Sequence, residues 1–70
     1  MSEFSPDEQA EAGSDAIAAY RERLGLDEDD VESGVIDTIA AVLHHAGEMG
    51  LTDFDALCRM AAMHVERDLG

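Results

Sequence analysis

The sequence predicts an all-α protein: a small three-helix bundle, or a helical hairpin with an added N-terminal helix, as a monomer or a homodimer. Three observations point there. Apolar residues recur at three- and four-residue steps, and no stretch alternates apolar with polar as a half-buried strand would. Helix start signals stand at Ser5-Pro6-Asp7-Glu8, Asp27 and Thr52, with glycine stops at Gly25 and Gly50. The length, 70 residues, holds one small domain and leaves no room for a second.

The first helix has a strong opening and a weak body. Ser5 can cap, Pro6 suits the first helical position, and Glu8 can complete a capping box. Gly13 then interrupts the chain, and Ile17, Tyr20 and Leu24 are the large apolar residues of one face. The expectation is a frayed or flexible acidic segment over residues 1–13 and a single helical domain over residues 14–70. Its helices are placed at about residues 14–24, 28–49 and 53–69.

The second helix is expected to open in the acidic run, with Asp27 as cap and Glu28, Asp29 and Asp30 in the first turn, where the helix dipole favours negative charge. Gly34 weakens this stretch by about 1 kcal/mol relative to alanine, which leaves room for a break near Ser33. From there Val35, Ile39, Val42, Leu43, Ala46 and Met49 share one face, with Ile36 at its edge. In the third helix Thr52 is the expected cap, with Asp55 in the box position. Phe54, Leu57, Cys58, Ala61, Ala62, Val65 and Leu69 form the core face. The short link between helices two and three predicts an antiparallel hairpin. A core this small is marginal, and dimerisation is a common remedy.

Charge narrows the function classes. Seventeen acids face four basic residues, all arginines, for a net charge of −13. Direct nucleic-acid binding draws on Lys and Arg that neutralise phosphates, and the field here has the wrong sign. Anionic membrane surfaces are disfavoured for the same reason, and no apolar run approaches the roughly 20 residues that cross a bilayer. Residues 1–37 carry −10 and residues 38–70 carry −3. The densest acidic segment, Asp27, Glu28, Asp29, Asp30 and Glu32, is a candidate docking surface for a basic partner.

Projected at 100° per residue, Met60 and Met63 fall off the core face of helix three, flanked by Arg59 and Arg67. Methionine adapts to irregular surfaces and recurs at binding sites, so this pair is the second candidate protein-binding surface. No metal or cofactor is expected. His44, His45, His64, Glu48 and Cys58 show no metal-ligand spacing, and His44 and Glu48, four apart, are placed to pair with each other. No catalytic residues are expected either: Cys58 reads as a small core residue, and the carboxylates lie on helical surface where nothing separates their pKa values. The single cysteine and the polar, acidic N-terminus suit a reducing, cytoplasmic setting.

Small, acidic and helical also describes acyl carrier proteins, which bear phosphopantetheine on the serine of an Asp-Ser-Leu motif opening their second helix. The nearest match is Glu32-Ser33-Gly34, which departs from that motif on both sides of the serine. The back half resembles a different group. Leu43-His44-His45-Ala46 closes one helix, a Gly/Asp link runs from Gly50 to Asp55, and Leu57-Cys58-Arg59-Met60-Ala61-Ala62-Met63-His64-Val65-Glu66 follows. This is similar to small orphan helical accessory proteins of actinobacteriophages. Those show a leucine-rich helix ending near a His-Ala pair, then a helix of Leu-x-Arg-Met-Ala-x-x-His type. Val65 stands where that pattern has an aromatic residue, and Cys58 is outside it.

The resemblance implies a phage-encoded accessory protein in a bacterial host cytoplasm, with no catalytic residues. A salt-adapted, haloarchaeal origin accounts for the acidic composition but not for the back-half pattern. The functional expectation is therefore a non-enzymatic protein that binds and modulates a host protein. The alternatives are an acidic nucleic-acid mimic that blocks a DNA-binding protein and, less favoured, an acyl-carrier-like protein.

Overall fold

A computed structural model describes residues 4–26 and 30–70 of the chain and is all-α, with no strand among those residues. Three helices follow one another: α1 (Pro6–Leu24), α2 (Val31–Glu48) and α3 (Phe54–Leu69). No helix among them is long and apolar enough to cross a membrane.

Helix α1 starts at Pro6, eight residues ahead of the boundary expected near Ser14. The capping box accounts for the difference. The Glu8 backbone N–H donates to Ser5 Oγ at 3.2 Å, and the Ser5 N–H donates back to Glu8 Oε1 at 3.5 Å. Two otherwise orphaned donors are satisfied, and the helix runs through Gly13, whose cost of about 1 kcal/mol falls inside a continuous hydrogen-bond ladder. Gly25, at φ 68°, ends it in the left-handed conformation that glycine adopts without strain.

The caps of the other two helices sit elsewhere than expected. Asp30 caps α2: its Oδ1 accepts from the Glu32 N–H at 3.2 Å, and its Oδ2 accepts from Ser33 Oγ at 2.7 Å. The cap expected at Asp27, with Glu28 and Asp29 in the first turn, lies outside the described residues. Asp53, not Thr52, caps α3 and accepts from the Ala56 N–H at 3.1 Å. Aspartate at 53 has its carboxylate three residues ahead of that amide, the spacing a cap needs. Asp55 remains in the first turn, where the dipole favours it.

The close pair is α1 with α2, and α3 makes far less contact with either. The two helices of the expected α2–α3 hairpin are joined by a short link and flank a cleft rather than packing closely along their length. Near the link the Phe54 ring comes within 3.5 Å of the space a Cβ on Gly47 would fill. Beyond it the two helices leave an apolar cleft of about 320 Å³. Close helix approach needs small residues at the crossing, and α2 offers one to α1 at Gly34, where Arg21 Nη2 donates to the Asp30 carbonyl at 2.8 Å.

The result is an open arrangement. Among the described residues no apolar side chain is buried, and Gly34 is the one buried residue of the helices. Ile17, Tyr20, Leu43, Ala46 and Leu57 are half-buried. Val35, Ile39, Val42, Phe54, Val65 and Leu69, read from the sequence as core, are exposed because no helix covers them closely enough to bury them. Cys58, also read as core, is exposed for the same reason. The radius of gyration is 13.1 Å, against about 11 Å for a compact domain of this length.

Candidate functional site

Helix α3 carries apolar residues on two sides. Leu57, Cys58 and Ala61 face the cleft, together with Ile39, Val42 and Leu43 of α2. At 100° per residue Met63 lies opposite Ala61 and Met60 to one side of it, so the methionines belong to a different surface. Met60 is 58% exposed and Met63 51% exposed, with the exposed Arg59 beside them. The helix is thus apolar toward the cleft and methionine-rich away from it, and α1 covers neither side. Helix α1 does not bury Met60 or Met63.

The acidic candidate surface is only partly in view, since Asp27, Glu28 and Asp29 lie outside the described residues. Asp30 and Glu32 are exposed. Both oxygens of the Asp30 carboxylate are engaged in capping α2, so this residue has a structural task as well as a charge. The hydrogen bond from Ser33, reinforced by the backbone N–H groups of Glu32 and Ser33, holds its carboxyl below the ordinary aspartate range; the positive charge of Arg21 adds to this.

A second acidic feature lies on α1. With α1 starting at Pro6, Asp7, Glu8, Glu11, Asp15 and Glu22 fall within about 100° of one another around its axis. All five are exposed. They form one stripe along the helix, turned from the face that carries Ile17 and Leu24. Placing the start of the helix near Ser14 hid the stripe, although the capping box that sets the true start is plain in the sequence.

Little else converges. Among the described residues no three His, Cys, Asp or Glu side chains come together in a way that would hold a metal ion. His44 and Glu48 line a groove between α1 and α2 with Tyr20, Arg23 and Asp37, and no hydrogen bond or ion pair joins the two as their spacing suggested. Ser33, the nearest counterpart of a carrier serine, is half-buried in the first turn of α2 with its hydroxyl donating to Asp30.

No protein-family model matches the chain, and no curated protein or solved structure matches it.

Proposed function

We propose that this chain is a non-enzymatic interaction protein that binds and modulates another protein, in a bacterial host cytoplasm if it is phage-encoded, as the back-half resemblance implies. The exposure of Met60 and Met63 on a helix that neither neighbour covers supports the reading. Adjacent, adaptable thioether side chains mould to a partner's apolar surface without a fixed pocket, and the flanking arginines supply polar anchoring at the rim.

The test is capture of binding proteins from a bacterial lysate by the full chain and by the double variant Met60→Glu, Met63→Glu. A protein captured by the first, retained through high-salt washes and lost by the second carries the proposal. Equal capture by both removes the methionine surface.

The acidic stripe of α1 supports a second reading, an acidic mimic that occupies the basic groove of a DNA-binding protein. Its complex would fall away steeply with salt, because exposed charges more than about 10 Å apart are screened at 0.1 M. Glu11→Gln with Asp15→Asn would weaken it and leave the methionine complex intact.

A further inference from the structure

We infer that the α2/α3 cleft is the contact surface for a second copy of this chain, and that the folded unit is a homodimer. The argument begins with area. The chain exposes 5820 Å². A folded monomer of 7.5 kDa exposes about 4,200 Å², so the excess is about 1,600 Å². Two chains that each buried this excess would form an interface of about 3,200 Å², inside the roughly 2,000–5,000 Å² range of obligate dimers.

Part of the exposed apolar surface lies along the cleft. Ile39 and Val42 on α2 and Val65 and Leu69 on α3 are exposed on the sides that a packed hairpin would bury. The cleft between the helices is lined by Ile39, Val42, Leu43, Leu57, Cys58 and Ala61 among others, with almost no polar surface. Those six carry no charge. The contact region lies in the half of the sequence that carries −3, away from the half that carries −10.

A second copy also suits the stability problem. With no buried apolar side chain among the described residues, the isolated chain has little to offset its conformational entropy. The partner that completes such a core must be present whenever the chain is made, and a second copy always is. A two-fold contact is self-complementary: each chain offers a cleft and the apolar edge of α3 that enters the other's cleft. Met63, on the opposite side of α3, stays outside it.

The experiment is sedimentation of the full chain over a wide concentration range, with thermal unfolding at the same concentrations. A dimer gives a mass of twice 7.5 kDa and an unfolding midpoint that rises with protein concentration, since association stabilises the folded state by mass action. Added salt holds or strengthens it, because screening relieves repulsion between two chains of −13. Alkylation of Cys58 slows as concentration rises. Ala61→Glu shifts the mass toward one chain, while Glu11→Gln on α1 does not. Should Ala61→Glu fail to fold, the concentration dependence of the native chain still decides. A monomer whose midpoint is independent of concentration overturns the inference, as does an assembly of more than two copies.

Discussion

The guanidinium of Arg21 lies against the bare backbone of Gly34, so that a Cβ built on Gly34 would stand 2.8 Å from Arg21 Cζ and closer still to Nη2. Arg21 reaches past this position to donate to the Asp30 carbonyl, at the cap of α2. One glycine thus admits the side chain that ties α1 to the start of α2. The same contact leaves Arg21 Nε buried without a hydrogen bond among the described residues.

This pairing makes the effect of Gly34→Ala depend on Arg21. In an Arg21→Ala background, alanine stabilises α2 by about 1 kcal/mol through helix propensity. With Arg21 present, the methyl displaces the guanidinium and costs its hydrogen bond, so the gain is cancelled or reversed. A double-mutant cycle by urea unfolding reads the difference. Equal effects in both backgrounds would show that the contact contributes nothing.

The observed caps separate neighbouring residues. Asp53→Ala removes the acceptor for the Ala56 N–H and costs about 1 kcal/mol, whereas Thr52→Ala leaves stability within about 0.5 kcal/mol. Ser5→Ala opens the capping box and frays the start of α1, seen as faster amide exchange at residues 7–9. Equal costs at positions 52 and 53 would move the cap back to Thr52.

Acid loosens the start of α2. The folded-state pKa of Asp30 is lowered, by the Ser33 hydroxyl above all, so its contribution is present above the ordinary aspartate range near about 4. It is lost as pH falls through the lower, folded-state value. An NMR titration shows Asp30 titrating below a free aspartate, and Ser33→Ala moves it back up. No movement on that substitution would remove Ser33 as the cause.

The acidic stripe of α1 works against its own helix. Asp7, Glu11 and Asp15 follow at four-residue steps, and like charges so placed cost roughly 0.2–0.5 kcal/mol per pair. Glu11→Gln, which relieves two such pairs, raises helicity and thermal stability at low salt, and the benefit shrinks at 1 M salt. Circular dichroism at both salt levels checks this. A stability unchanged at low salt would mean the charges are already screened from one another.

Particular residues show where sequence reading succeeds here and where it stops. The periodicity from Val35 to Met49 and from Phe54 to Leu69 located two helices within a few residues, because that pattern is a local property of a 3.6-residue turn. Gly13 misled at the first helix: its penalty is local, whereas the Ser5–Glu8 box, which begins eight residues earlier, sets the start. Cys58, Val65 and Leu69 misled differently. They lie on the apolar face, as read, but an apolar face becomes a core only when another surface covers it. The Met60 and Met63 surface was legible from spacing alone, and the α1 stripe would have been with the right starting residue.

The sequence by itself determined three helices, their glycine stops, the charge gradient from front to back and the two faces of α3. Each of these follows from contacts within one or two helical turns, or from composition. Only the tertiary structure decided which helices meet. It set α1 on α2 through Arg21 and Gly34, and it left α3 apart with an open apolar cleft. The choice depends on close approach between residues distant in sequence, such as Arg21 and Gly34, and helical periodicity carries no record of it.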